Sequence, residues 1–333
     1  MGQNRPVPCL HDWCPDLRHS LPHLALGEVP TPVRQLSAGD PARPEIWLKD
    51  ESPFGSGGWG GNKVRKLEWL LPEAKRSGRR TILTFGGLGT NWGLATALYG
   101  RDQGLRTALA LIDQPVDGHV EKQLERLRES GATLHFTHSK LRTVLAAPWL
   151  MLRHSSGGKP PLILPAGGSS PLGSLGYVET AFEIAAQVRD GELPEPGQVV
   201  VPAGSGGTAA GLALGFALAG LQTRVLGVAV TDQLRLDREA VSNLAGRSAH
   251  LLRDRGATFP PPELNLEMTA DWMGPGYGIS TPESNAAIVQ AREWGLELDP
   301  VYTAKAMAAL LSRTGPGTPG EDPILFLNTN GPR

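Results

Sequence analysis

The stretch QVVVPAGSGGTAAGLALGFALAG, residues 198–220, decides the fold. A β-rich apolar run leads through Ala-Gly-Ser-Gly-Gly-Thr into an Ala/Leu/Gly-rich segment of helical character that begins near Gly206. Strand, glycine turn, helix is the unit of a parallel α/β sheet. Backbone N–H groups at such a turn, added to the dipole of the helix that follows, make a cradle for a phosphate. Gly204, Gly206 and Gly207 let the backbone approach an anion, and Ser205 and Thr208 supply hydroxyl donors. No Lys-Ser/Thr pair follows the glycines, so this is not a P-loop, and the dinucleotide fingerprint G-x-G-x-x-G is only partly met. The plainer reading is a tight βα turn that binds nothing.

Working outward, the alternation repeats. TILTF (81–85) precedes a Gly-rich turn and NWGLATALYGRDQG, and RTALALI (106–112) precedes HVEKQLERLRESG (119–131). Val120, Leu124 and Leu127 recur there at helical spacing, with Gly131 as the expected C-cap. ATLHFT (132–137), TRVLGVAV (223–230) and the C-terminal DPILFLN read as further strands. The class is therefore α/β, with parallel sheets covered by helices on both faces. The proline-rich first 45 residues are expected to wrap the surface before the strand EIWLKDE (45–51), and the Pro/Gly-rich interval after Leu145 to form a crossover between two α/β units.

Composition narrows the function. The 333 residues carry 32 basic and 33 acidic side chains, a net charge of −1, which gives no electrostatic reason to expect nucleic acid or an acidic membrane. Cys9 and Cys14 have no second pair to complete a zinc site and read as thiols of a reducing compartment. The N-terminus has no apolar signal core, and no stretch approaches the ~20 apolar residues of a membrane span. A soluble, cytoplasmic protein is expected.

Five further stretches carry chemistry. In GGNKVRKLEWLL (60–71) a glycine turn delivers Lys63 to the mouth of a helix, either as a solvated surface residue or as an amine placed to form a Schiff base with a carbonyl compound. In FGGLGTNWGLATA (85–97), Thr90 and Asn91 open a helix, as caps or as the seat of a carboxylate. LPAGGSSPLGSLGYVETAFEI (164–184) is a third strand-glycine-helix junction, and three such junctions imply a crevice at the carboxyl ends of the strands. GPGYGIS (274–280) and LDPVYTAKAM (298–307) frame Tyr277 and Tyr302 in loops.

Taken in order, these motifs resemble the family of D-cysteine desulfhydrase and 1-aminocyclopropane-1-carboxylate deaminase, fold-type II pyridoxal-phosphate enzymes related to the tryptophan synthase β chain. The resemblance runs from about residue 27 to the end. It implies two domains, each a twisted, mostly parallel sheet with helices on both faces: residues 1–62 plus 176–333 as the large cofactor-binding domain and 63–175 as the small one. It implies pyridoxal 5′-phosphate as cofactor, with no metal or nicotinamide, and a homodimer. By the same resemblance Lys63 is the Schiff-base lysine, while Lys66, one turn on, is structural. Asn62 and Asn91 lie beside the cofactor, with Asn91 bonded to the phenolic oxygen of the ring. Residues 204–208 hold the phosphate, Tyr302 stacks on the ring, and Tyr277, Thr90, Trp92, Gly168 and Ser169 face a small amino-acid substrate.

One difference separates the two branches. Deaminases resemble VYEGK, with a glutamate at the ring nitrogen; Thr303 stands there in this chain. Desulfhydrase-like members resemble HTGG near the C-terminus; here NTNG places Thr329 at the matching position. The resemblance therefore implies β-elimination from a D-amino acid, giving an oxoacid and ammonia, ahead of the cyclopropane deaminase. A third alternative is a non-catalytic protein that keeps the cofactor or a phosphate ligand. Two departures, Trp92 in place of a polar residue and NTNG in place of HTGG, bear on substrate choice.

Overall fold

The apolar runs assemble into two sheets. In the computed structural model, residues 7–37, 44–55, 59–116, 118–314 and 322–331 are described. In chain order the elements are α1 (Cys9–Trp13), α2 (Leu17–Ser20), β1 (Val33–Ser37), β2 (Ile46–Asp50), α3 (Asn62–Arg76), β3 (Thr81–Gly87), α4 (Asn91–Asp102) and β4 (Arg106–Ile112). There follow α5 (Gly118–Glu129), β5 (Thr133–His138), α6 (Lys140–Arg153), β6 (Leu162–Ile163), α7 (Pro171–Arg189), β7 (Gln198–Ala203) and α8 (Gly207–Ala219). The chain continues through β8 (Arg224–Ala229), α9 (Arg238–Asp254), β9 (Leu266–Thr269), α10 (Pro282–Glu293), α11 (Thr303–Ser312) and β10 (Ile324–Asn328).

The larger sheet runs β1-β2-β10-β7-β8-β9, parallel except for β1, which pairs antiparallel with β2. The smaller runs β5-β4-β3-β6 and is parallel throughout. Both are covered on two faces, and the strand sequences say why. Val199 and Val201 pack into one core with α7, α8 and α9, while Val200 between them packs into another with α10 and α11. Leu325 and Leu327 divide from Ile324 and Phe326 in the same way. Side chains alternate across a strand, so an unbroken apolar run requires a buried layer on each side.

Two expectations change. The N-terminal segment does more than wrap the surface: Leu10, Leu17 and Leu21, on or beside two short helices, are fully buried in the core of the large sheet. Residues 1–6 and 38–43 of that segment lie outside the described residues. At the third junction the strand is only two residues long, and one 3₁₀ turn, Ala166–Gly168, stands between it and α7.

The element that positions the site is α3. Its residue Arg65 is fully buried and forks onto Glu51 beyond the end of β2, with Nε to Oε2 at 2.8 Å and Nη2 to Oε1 at 2.9 Å. Nη1 donates to Glu183 of α7 at 2.9 Å. Glu183 also takes Lys49 of β2, whose ammonium donates further to Gln187 Oε1 at 2.6 Å and to the Thr31 carbonyl at 2.9 Å. Two cations and two carboxylates thus neutralise one another inside the protein. Burial pushes Glu183 up, but Arg65 and Lys49 outweigh it and bring it down to about 2. The helices touch closely here: a Cβ on Gly176 of α7 would lie 2.3 Å from the Arg65 carbonyl oxygen.

Replacing Arg65 with Leu leaves two buried carboxylates with only Lys49 between them, and urea unfolding is expected to show a loss of about 3–5 kcal/mol. Glu183 lies lower in the folded state than its ordinary 4.5, so its contribution is complete above that value and is lost as pH falls toward about 2. An acid titration of Glu183→Gln should accordingly lack that part of the transition.

Candidate active site

The loops after β6, β7 and β10 meet the start of α3. The meeting is glycine on glycine. Gly331, beyond β10, would place a Cβ 2.3 Å from the Gly60 carbonyl oxygen, and a Cβ on Gly61 would lie 2.8 Å from Gly331 Cα. Gly61 also caps α3 with φ of 93°, a conformation that side chains resist. These contacts bring Lys63 and the NTNG loop into one corner. Lys63 follows directly, partly buried, and burial brings its amine down to about 8. Asn62 begins the helix and is partly buried.

Lys66, set aside above as structural, belongs to this corner. Its Nζ donates to the Gly167 carbonyl at 2.9 Å and to Ser169 Oγ at 3.1 Å, and a Cβ on Gly207 would lie 3.0 Å from it. Burial, then the charge of Lys63, holds its amine well below the ordinary lysine range. Among the described residues neither lysine has a carboxylate partner. Sequence spacing held the signal: positions 63 and 66 share one helix face.

The 204–208 loop leaves donors open. Ser169 Oγ accepts from Lys66 and from the Gly207 N–H at 3.0 Å, so its own hydrogen goes to Ser205 Oγ at 2.7 Å. Ser205 keeps its hydrogen. Among the described residues the N–H groups of Ser205, Gly206 and Thr208 find no acceptor, as expected where a strand gives way to a helix N-terminus. Three open amides, a free hydroxyl and a buried amine without counter-ion fit a phosphate group. Ser169, expected at the substrate, is placed here as part of the cradle. Gly168 lies beside it with φ of 67° and is buried.

The Tyr302 ring borders the cradle, since a Cβ on Gly204 would lie 3.0 Å from its Cε1. Its hydroxyl pairs with that of Tyr277, ring edge toward ring face at 75°. Burial raises both phenols, Tyr302 the more. Asp299 sets Tyr302 by accepting its N–H at 2.6 Å, and Lys305 holds the Tyr277 loop by donating to the Met273 carbonyl at 2.6 Å. Sequence reasoning passed over both residues.

Thr303 is fully buried and its hydroxyl is spent: it donates to Asp299 Oδ2 at 2.7 Å and accepts from the Asp299 N–H at 2.8 Å. Thr329, at the end of β10, is almost fully buried, and among the described residues its hydroxyl makes no hydrogen bond. Its neighbour Asn328 bonds to Asp50 at 3.0 Å.

On the small-sheet side, Thr90 caps α4 by accepting the Gly93 N–H at 3.1 Å. Asn91 is partly buried, its Oδ1 accepting from Gln123 Nε2 at 2.6 Å. Trp92 departs from expectation. It is 2% exposed, its single donor is taken by Thr84 Oγ1 at 2.8 Å, and its ring lies under Gly168, where a Cβ would come within 2.6 Å. It supports the 166–169 turn from beneath and offers no hydrogen bond to a substrate.

This layout, two parallel sheets meeting at a lysine and a glycine-rich anion cradle, is that of a fold-type II pyridoxal-phosphate enzyme. The family model described as pyridoxal-phosphate dependent enzyme matches residues 24–330, and the chain belongs to that family. It is similar to D-cysteine desulfhydrase of Klebsiella pneumoniae (strain 342), 35% identical over 320 residues that cover 93% of this chain and 94% of the relative. Among solved structures it is similar to an ACC deaminase homologue, with TM-score 0.80 and 29% identity over 98% of this chain and 95% of the other. Threonine deaminase isoform 2 from Solanum lycopersicum, at 14% identity and TM-score 0.63 over 100% of this chain and 87% of the other, shares the fold. The resemblance read from the motifs is borne out, and the cofactor is pyridoxal 5′-phosphate.

Because the Lys63 amine sits near 8, where an ordinary lysine sits at 10.5, a useful fraction is neutral and nucleophilic around neutral pH. The rate of imine formation by the apoprotein should rise through about pH 8 and then level, followed by absorbance. Replacing Lys66 with Met should weaken cofactor binding on the order of tenfold or more, as loss of a charge-assisted hydrogen bond does, in equilibrium dialysis.

Proposed function

We propose that the protein is a lyase that removes a β-substituent and the amino group from a small D-amino acid of the D-cysteine class. With D-cysteine and water the products are pyruvate, ammonia and hydrogen sulfide. The observation that carries this reading is the pair of threonines. The hydroxyl of Thr303 is locked onto Asp299, while that of Thr329 is open at the strand end. A ring nitrogen placed there meets a neutral hydroxyl and no carboxylate. Elimination of a good leaving group needs a weaker electron sink than opening a cyclopropane, so the desulfhydrase reading is favoured over the deaminase.

When bound, the cofactor supplies the electron sink that acidifies the substrate Cα–H. The chain does the rest. Lys63 would hold the aldehyde, and its amine is the group that would take the Cα proton; burial brings it down to about 8, which suits that role close to neutral pH. Lys66, Ser205 and the open amides would hold the phosphate. Asn62, Asn91 and Tyr302 would hold the ring, and Thr329 would offer its hydroxyl to the ring nitrogen. Tyr277, bonded to Tyr302, and the Thr90 hydroxyl face the substrate, whose carboxylate sits at the N-terminus of α4 beside Gly168.

Residues 1–62 with 176–333, and residues 63–175, act as the two domains that flank this cleft. A homodimer is supported by α6, which turns Leu141, Val144, Leu145, Trp149 and Leu152 to solvent along one face. Cytoplasmic residence is supported by two free cysteines; among the described residues no helix is long and apolar enough to cross a membrane and no His/Cys/Asp/Glu cluster could hold a metal.

A panel of D- and L-amino acids scored for oxoacid, ammonia and sulfide tests the reading. D-cysteine is expected to yield all three, 1-aminocyclopropane-1-carboxylate none, and Lys63→Ala should lose turnover and the visible imine band while keeping the wild-type fold by circular dichroism. Release of 2-oxobutanoate from the cyclopropane substrate would overturn it. Thr329→Val should cut kcat by on the order of tenfold or more if the hydroxyl serves the ring nitrogen.

A further inference from the structure

Asn91 is an amide, and its two ends do opposite things: the carbonyl accepts, the NH₂ donates. Facing a ring oxygen that bears negative charge, only the NH₂ end helps. Nothing within Asn91 decides which end points into the cleft, so a neighbour must. That neighbour is Gln123 on α5, which is 0% exposed and has the same ambiguity. Its orientation is settled by Arg126, one turn on. A guanidinium has no acceptor, so the atom of Gln123 that faces Arg126 Nη1 at 3.5 Å is Oε1. Nε2 is then left for Asn91, and donates to Oδ1 at 2.6 Å. Asn91 Oδ1 is thereby committed and Nδ2 is turned away from Gln123, free to donate. Arg126 is itself seated by Trp59, its guanidinium carbon 5.6 Å from the ring centroid.

We propose that Gln123 is a positioning residue: oriented by Arg126, it fixes the Asn91 amide so that a donor, never an acceptor, faces the phenolic oxygen of the cofactor. This rests on the reading of Asn91 given above. The relay runs Trp59, Arg126, Gln123, Asn91, and it makes α5 part of the cofactor site although no α5 side chain is needed at the ring. Replacing Gln123 with Glu reverses the last link. A carboxylate accepts from Arg126 and can only accept from Asn91, so the asparagine turns its NH₂ toward position 123 and its carbonyl toward the ring oxygen. Replacing it with Met removes the link and leaves Asn91 free to turn.

The test uses the full-length apoprotein and two probes: pyridoxal 5′-phosphate and its 3-deoxy analogue, which lacks the phenolic oxygen. Affinities are measured for wild type, Gln123→Glu, Gln123→Met and Asn91→Leu, alone and with Gln123→Glu. Gln123→Glu is expected to weaken binding of the natural cofactor on the order of tenfold and leave the 3-deoxy analogue within about twofold, the difference being one hydrogen bond to a charged oxygen. Gln123→Met should show the same selectivity, smaller, and in the Asn91→Leu background Gln123→Glu should add none. Equal loss of both probes would show a packing role only, and no loss of either would show no role; either result overturns the proposal while wild type still forms its Lys63-dependent band. If wild type forms no such band, the cofactor reading fails and this inference falls with it.

Discussion

Arg65 is the fixed point of the molecule. It stands between Lys63 and Lys66 in the chain, but on a helix of 100° per residue it faces away from them. Glu51 and Glu183 hold it from behind, Lys49 pairs with Glu183 in turn, and the Phe54 ring centroid lies 3.9 Å from its guanidinium carbon. The two lysines are left to face the opposite way. Four charges removed from water cost far more than they return unless each is paired and hydrogen-bonded. Here each is, across the end of β2, α3 and α7. The reactive end of α3 therefore has little freedom to drift, although it begins in a glycine turn.

The site that results is the electrical inverse of that anchor. Behind α3 the charges sum to zero; in front two amines stand together with open amides and no carboxylate. Both are pushed toward their neutral forms, Lys63 by burial and Lys66 by burial and its neighbour. A phosphate would satisfy what the fold leaves open among the described residues: the amides of 205, 206 and 208, the Ser205 hydroxyl and the Lys66 amine. The cradle is built from three places far apart in sequence, the 204–208 loop, the 166–169 turn and α3, with Ser169 Oγ joining all three. Trp92 braces the turn from the small-sheet side, so the residue that departs most from the family pattern acts on the site through packing.

Much of the fold was legible in the residues. Short apolar runs such as residues 199–203 and 324–327 read as strands buried on both faces, and Gly-rich turns such as 204–207 mark where a strand feeds a helix. The family was legible because the motifs around Lys63, the 204–208 glycines and the tyrosines occur together and in order. What escaped were side chains whose work depends on distant partners. Lys66 looked like an ordinary helical lysine, since its partners Gly167 and Ser169 are a hundred residues away. Gln123, Asp299 and Lys305 carry no motif. The buried leucines at positions 10, 17 and 21 sit in a segment whose prolines suggested a surface wrap.

By itself, then, the sequence determined the alternation of strands and helices, the lysine at the mouth of α3 and the glycine turn at the start of α8, because period, glycine placement and residue chemistry are local properties. Tertiary structure alone decided that Thr303 spends its hydroxyl on Asp299 while Thr329, among the described residues, keeps its own, that Trp92 turns under Gly168, and which end of the Asn91 amide is free. Each of those depends on which atom lies within 3 Å after the chain has folded, and hydrogen-bond partners brought together from separate elements leave no periodic trace along the chain.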